Sequence, residues 1–145
     1  MTALPLTGVS HVGLSVPDVD AAVVFWHDVM GFEVVGRTPS YCLLLHREGL
    51  FVLGLNDHDG AVTGAFDERR TGLDHLALAV PDTAALEAWV GRFDERGFPH
   101  SGPVESDFGV HLNLRAPDSF PVELFVLLPS GATRLGLEEG VSAPA

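Results

Sequence analysis

Two stretches of the chain alternate apolar and polar or small residues with a period of two. In the first, Val12, Leu14 and Val16 fall on one face of a strand and His11, Gly13 and Ser15 on the other. In the second, Leu76, Leu78 and Val80 oppose His75, Ala77 and Ala79. Each histidine shares its face with small residues, which leave room beside the imidazole. A Pro-Asp pair follows each strand: proline stops the ladder, and Asp18 or Asp82 is placed to cap a helix. The period then becomes helical. Ala21, Ala22, Val24, Phe25 and Val29 form one apolar stripe, and Ala85, Leu86, Trp89, Val90 and Phe93 form another. Gly31 and Gly97, each followed by phenylalanine, close the helices as C-terminal caps.

The two stretches are copies of one unit. Gly8 to Ala21 aligns with Gly72 to Ala85 at an offset of 64, and seven positions are identical: Gly8, His11, Leu14, Val16, Pro17, Asp18 and Ala21. The alignment resumes at an offset of 70, pairing Tyr41 to Leu45 with His111 to Arg115, and Leu50 to Leu55 with Phe120 to Phe125. These segments read as hairpins whose turns, His46 to Gly49 and Ala116 to Ser119, have equal length and suitable turn residues. Weaker extended stretches near Glu33 to Arg37 and Pro99 to Val104 complete four strands per copy. The predicted class is α+β, with two tandem β-α-β-β-β modules forming a curved mixed sheet. Residues 1–145 are expected to make a single domain, with module one at 6–56, a connector at 57–71, module two at 72–128 and a tail at 129–145. The connector is rich in Asp and Gly, and its run Asp67 to Arg70 reads as a solvated surface. The tail is expected to hold a short turn or helix near Leu135 to Glu139.

Composition narrows the partners. Of 145 residues, 46% are hydrophobic and 19% charged, which predicts a globular fold rather than disorder or a coiled coil. No apolar run approaches the roughly 18 residues of a membrane span, and the opening residues lack a signal pattern, so a cytoplasmic location is expected. Cys42 is alone and sits in an apolar strand, as a buried thiol would. A net charge of −12 opposes docking on nucleic acid or anionic lipid and leaves a small molecule as the expected partner.

Three residues carry candidate chemistry. His11 and His75 hold equivalent positions in the two copies, and Glu123 interrupts the apolar strand Pro121-Val122-Glu123-Leu124-Phe125. An unpaired buried carboxylate costs several kcal/mol, so Glu123 calls for a cation, hydrogen bonds or a raised pKa. Arg115, on the preceding strand, is the structural alternative to a metal ion. Two imidazoles and a carboxylate suit Fe, Mn, Zn, Co or Ni rather than calcium. The offset of 70 sets aliphatic Leu53 opposite Glu123, so the symmetric fourth position cannot ligate. A site with three protein ligands keeps positions open for water and substrate.

With these residues in place, the chain from Gly8 to Leu128 resembles the vicinal oxygen chelate superfamily. That group includes glyoxalase I, extradiol dioxygenases, and fosfomycin and bleomycin resistance proteins. The resemblance implies paired modules cupped around a metal, with ligands on the first strand of each module and the last strand of the second, at His11, His75 and Glu123. Three ligands resemble the extradiol dioxygenases and the fosfomycin thiol transferases more than glyoxalase I, which uses four. Where extradiol enzymes usually carry a tyrosine, this chain has Asn113. The usual Asp-Pro-Asp-Gly turn is Ala116-Pro117-Asp118-Ser119, and the basic phosphonate-binding residues of the fosfomycin enzymes have no clear counterpart. His111 and Tyr41 are candidates for proton transfer, and Asn113 and Arg115 for substrate orientation. The implied function is a metal-dependent dioxygenase, lyase or isomerase. The alternative is a protein that sequesters an antibiotic without turnover. The resemblance also implies a homodimer, with modules paired within one chain or exchanged between two.

Overall fold

In the computed structural model, which describes residues 3–137, each alternating stretch forms a strand that runs parallel to the last strand of its own copy. The chain divides into two compact units, one reaching Val62 and the other beginning at Thr63, so the boundary falls inside the connector. The first unit contains β1 (His11–Ser15), α1 (Val19–Val23), β2 (Glu33–Arg37), β3 (Tyr41–His46) and β4 (Phe51–Asn56). Its sheet order is β1-β4-β3-β2. The second unit contains β5 (Leu76–Ala79), α2 (Thr83–Glu95), β6 (His100–Glu105), β7 (Gly109–Arg115), β8 (Pro121–Leu127) and α3 (Pro129–Arg134). Its order, β5-β8-β7-β6, repeats the first. Both sheets are mixed, with one parallel pair and two antiparallel pairs.

Local chemistry fixes the helix ends. The Asp18 and Asp82 carboxylates accept from the Ala21 and Ala85 amides at 2.9 and 2.8 Å, as N-caps do. Gly31 and Gly97 end the helices with φ of 81° and 62°, the left-handed conformation that glycine adopts without a Cβ clash. The first helix departs from expectation beyond α1. From Val24 to Val29 it widens into a π-helical turn, in which the Met30 amide donates to the Phe25 carbonyl at 3.0 Å. This wider turn slows the rotation per residue, so the neighbours Phe25 and Trp26 both pack inward while Val24 is exposed. The stripe of the second helix follows the α-helical period, with Leu86 and Phe93 buried.

Each unit has its own apolar core. Trp26, Phe32, Leu44, Leu53 and Leu55 fill the first, and Phe93, Leu112, Val122 and Leu124 the second. Cys42 is fully buried among the first group, and this burial pushes its thiol pKa up.

Two expectations need correction. The hairpins are not of equal length: Leu45 faces Val52 across six residues, whereas its counterpart Arg115 faces Pro121 across five. The repeat therefore continues at an offset of 69 in the last strand. The short helix also starts earlier than expected, at Pro129 rather than Leu135, because proline at a first helical position is already set at the helical φ. Of the stretch expected to be helical, Glu138 and Glu139 lie outside the described residues. A Cβ at Gly131 would sit 2.0 Å from the Phe108 carbonyl oxygen, so α3 rests directly on backbone. Among the described residues no helix is long and apolar enough to cross a membrane.

Candidate metal centre

In the second unit, β8 brings Glu123 between two strands. It faces Ala77 of β5 on one side and Asn113 of β7 on the other. The alternation of β8 buries Val122 and Leu124 in the core and turns Glu123 to the opposite face, where its side chain is 15% exposed. His75 precedes β5 by one residue, and its Nε2 lies 4.0 Å from Glu123 Oε2. His111, two residues before Asn113 on the same face of β7, places Nδ1 3.5 Å from that same oxygen. Glu123 thus meets two imidazoles.

The His75 ring is oriented by its neighbour. Its Nδ1 donates to Asp74 Oδ1 at 2.6 Å. A carboxylate oxygen there accepts, so in the neutral ring Nδ1 carries the proton and the Nε2 lone pair lies on the side of Glu123. This is the outer-sphere arrangement that metal-binding histidines use. The separation of 4.0 Å lies within the span of two metal–ligand bonds of about 2.1 Å each. The separation and donor types of His75 and Glu123 therefore fit a shared divalent ion. Among the described residues no three His, Cys, Asp or Glu side chains are already gathered closely enough to hold a metal ion.

His11 belongs to the first unit, where it opens β1 with its side chain exposed. Its Nδ1 lies 3.0 Å from Ser10 Oγ. Ser10 is the repeat counterpart of Asp74, so both histidines have the same ring nitrogen engaged by the preceding side chain. Tyr41 also lies in the first unit, at the start of β3. The second hairpin is one residue shorter than the first, which makes Gly54, not Leu53, the counterpart of Glu123: Gly13 faces Gly54 where Ala77 faces Glu123. Leu53 points into the core instead. Like Leu53, Gly54 offers no ligating side chain, and a Cβ there would meet the Tyr41 hydroxyl at 3.0 Å.

Arg115 does not neutralise Glu123. Its guanidinium grips Glu68 of the connector at 2.5 and 3.3 Å and donates to the Ser119 carbonyl at 2.8 Å. The Arg115 hydrogen bonds hold the Glu68 carboxyl below the usual carboxylate range. An open cavity of about 400 Å³ lies over this face, lined in part by Glu68, Asp74, His75, Asn113, Arg115 and Glu123. Two of these contributors were not legible in the sequence as site residues. Asp74 carried a usable signal, a hydrogen-bonding side chain before the histidine in both copies. Glu68 carried none, because its pairing with Arg115 spans 47 positions.

The chain matches the Glyoxalase/Bleomycin resistance protein/Dioxygenase superfamily over residues 8–124 and belongs to that superfamily. A catechol-2,3-dioxygenase of Bacillus subtilis is 29% identical over 100 residues, covering 67% of this chain but only 35% of that protein, so the chain spans about a third of that relative's length. A glyoxylase/bleomycin resistance protein/dioxygenase domain from Frankia sp. EAN1pec is 29% identical, with a TM-score of 0.72 over 86% of this chain and 100% of its own. TnmS3, an antibiotic binding protein from Streptomyces sp. CB03234, shares the fold at 20% identity and a TM-score of 0.66, over 87% of this chain and 100% of its own.

Proposed function

We propose that this chain is a divalent-metal-dependent enzyme whose small substrate binds through two neighbouring oxygens, with cleavage of a catechol-like ring ranked ahead of lyase or isomerase chemistry. The observation that carries this reading is His75, whose Nε2 is left free by Asp74 and lies 4.0 Å from Glu123 Oε2 beside an open cavity. His75 and Glu123 are two of the proposed ligands. His11 is the third, assigned because it holds in the first copy the position of His75 in the second. Nitrogen and oxygen donors of this kind suit Fe, Mn, Zn, Co or Ni. When bound, such an ion supplies Lewis-acid stabilisation of negative charge on the substrate oxygens.

Three of the remaining roles fall to side chains on one face of β7. His111, with Nδ1 3.5 Å from Glu123 Oε2, is placed to take or return a substrate proton. Asn113, beside Glu123 in register, offers an amide that orients the substrate. Tyr41 is the counterpart of His111 in the first copy and the second proton-transfer candidate. Arg115 orients substrate only if its bond to Glu68 is given up. The working unit proposed is a homodimer, which light scattering on the eluted protein tests.

Metal analysis of protein purified without chelator, repeated on His75→Ala, tests the site. Metal in the wild type and little in the variant supports it; equal occupancy refutes it. Oxygen uptake by Fe(II)-loaded protein with a panel of catechols then tests ring cleavage. A second reading, sequestration of a cationic antibiotic, is favoured by the acidic cavity lining. Metal retention with drug binding and no turnover would select it.

A further inference from the structure

The charge of the cavity is set by a residue of the connector. Its lining carries three carboxylates, Glu68, Asp74 and Glu123, against the single guanidinium of Arg115. One of those carboxylates holds the guanidinium in a two-pronged pair, Arg115 Nη2 to Glu68 Oε1 at 2.5 Å and Nη1 to Oε2 at 3.3 Å. The pair is held from both sides. On the arginine side, the Ser119 carbonyl accepts from Nη1 at 2.8 Å. On the glutamate side, the Phe66 amide donates to the Asp118 carbonyl at 2.8 Å, and the Phe66 ring packs edge-on against buried Phe120 at 4.9 Å. The connector is thereby fastened to the β7–β8 turn two residues from Glu68. The pair remains reachable from solvent, with Arg115 52% and Glu68 33% exposed.

We propose that Glu68 is a specificity-determining residue that reserves the cavity for uncharged diols, by occupying the one guanidinium that would otherwise bind a substrate carboxylate. This rests on the reading of the site as one for a substrate chelated through two oxygens, and adds which members of that class are admitted. A substrate carboxylate reaching Arg115 must displace an anchored intramolecular carboxylate, whose effective concentration is high. It must also leave Glu68 ionised and unpaired beside a like charge. An uncharged ring meets neither cost. Removing the Glu68 charge frees Arg115 for the bidentate carboxylate recognition that guanidinium geometry favours.

Benzoate is the probe, because it has the carboxylate and the ring but no oxygens on adjacent ring carbons. It is titrated into the full chain without added metal, and the backbone amide resonances of residues 68, 113 and 115 are followed by NMR. Glu68→Gln keeps the shape and removes the charge, and is expected to bind benzoate about tenfold more tightly than wild type. The double variant Glu68→Gln with Arg115→Met is expected to return to the wild-type level. Equal affinity in wild type and Glu68→Gln overturns the proposal, as does a gain that survives loss of Arg115. Catechol turnover plays no part in this readout, so a failed metal or ring-cleavage test leaves the benzoate result standing and a failed benzoate test leaves the metal site standing.

Discussion

Replacing Asp74 with alanine removes the acceptor that fixes the His75 ring. The bond is short, 2.6 Å from Nδ1, and its acceptor is charged. Hydrogen bonds to charged groups contribute about 1.5–3 kcal/mol when an intact partner is left behind. Here the side chains are 71% and 46% exposed, and water screens the interaction, so the low end applies. That corresponds to about a tenfold loss of metal affinity, the smaller of the effects seen when outer-sphere partners of ligating histidines are removed. Asp74→Asn retains an acceptor without the charge and should fall between alanine and wild type. Competition against a chromophoric chelator with Zn(II) or Co(II) measures all three proteins, with His75→Ala as the reference for a lost ligand. Affinity of Asp74→Ala within twofold of wild type, while His75→Ala loses binding, would refute the orienting role. The order alanine, asparagine, wild type would establish it.

Three further outcomes concern the hairpin turn and the last helix. Burial pushes the Asp118 carboxyl pKa up, so the folded state binds its proton at higher pH than the unfolded state does. The resulting penalty is full at neutral pH and vanishes as pH falls through the raised folded pKa and below the unfolded one. Asp118→Asn should therefore raise the thermal midpoint at pH 7 and lose that advantage in acid, as read by calorimetry across pH. Ser119 holds φ at 68°, where a side chain costs about 1 kcal/mol that glycine avoids. Ser119→Gly should stabilise by about 0.5 kcal/mol after the greater freedom of unfolded glycine is counted, giving a small upward shift of the midpoint. Gly131→Ala would drive a methyl to 2.0 Å from the Phe108 carbonyl oxygen. It should cost about 2 kcal/mol by denaturant titration, because backbone rather than a flexible side chain must yield.

Much of the fold was legible because it is written twice and locally. Asp18 and Asp82 cap the amides three positions on, Gly31 and Gly97 take the left-handed φ, and the period of two separates His11 and His75 from the core-facing residues. Each of these depends on neighbours within one or two turns of chain. The π-helical turn was not legible, since Phe25 and Trp26 face inward together only because the core of the first unit accepts both rings. Nor was the residue opposite Glu123. An ungapped offset names Leu53, whereas the pairing of backbone groups across β1 and β4 names Gly54.

The sequence by itself determined the two β-α-β-β-β units, the helix ends and the polar identity of His75 and Glu123 on otherwise apolar strands, because periodicity and capping are short-range properties of the chain. The tertiary structure alone decided which charges meet. Arg115 is nearer in sequence to Glu123 than to Glu68, yet it pairs with Glu68, since the connector is fastened to the β7–β8 turn through Phe66 and carries Glu68 to the guanidinium. Glu123 is thereby left facing His75 and His111. Hydrogen bonds and ion pairs act over a few ångströms whatever the separation along the chain, so their partners follow from folding and not from order.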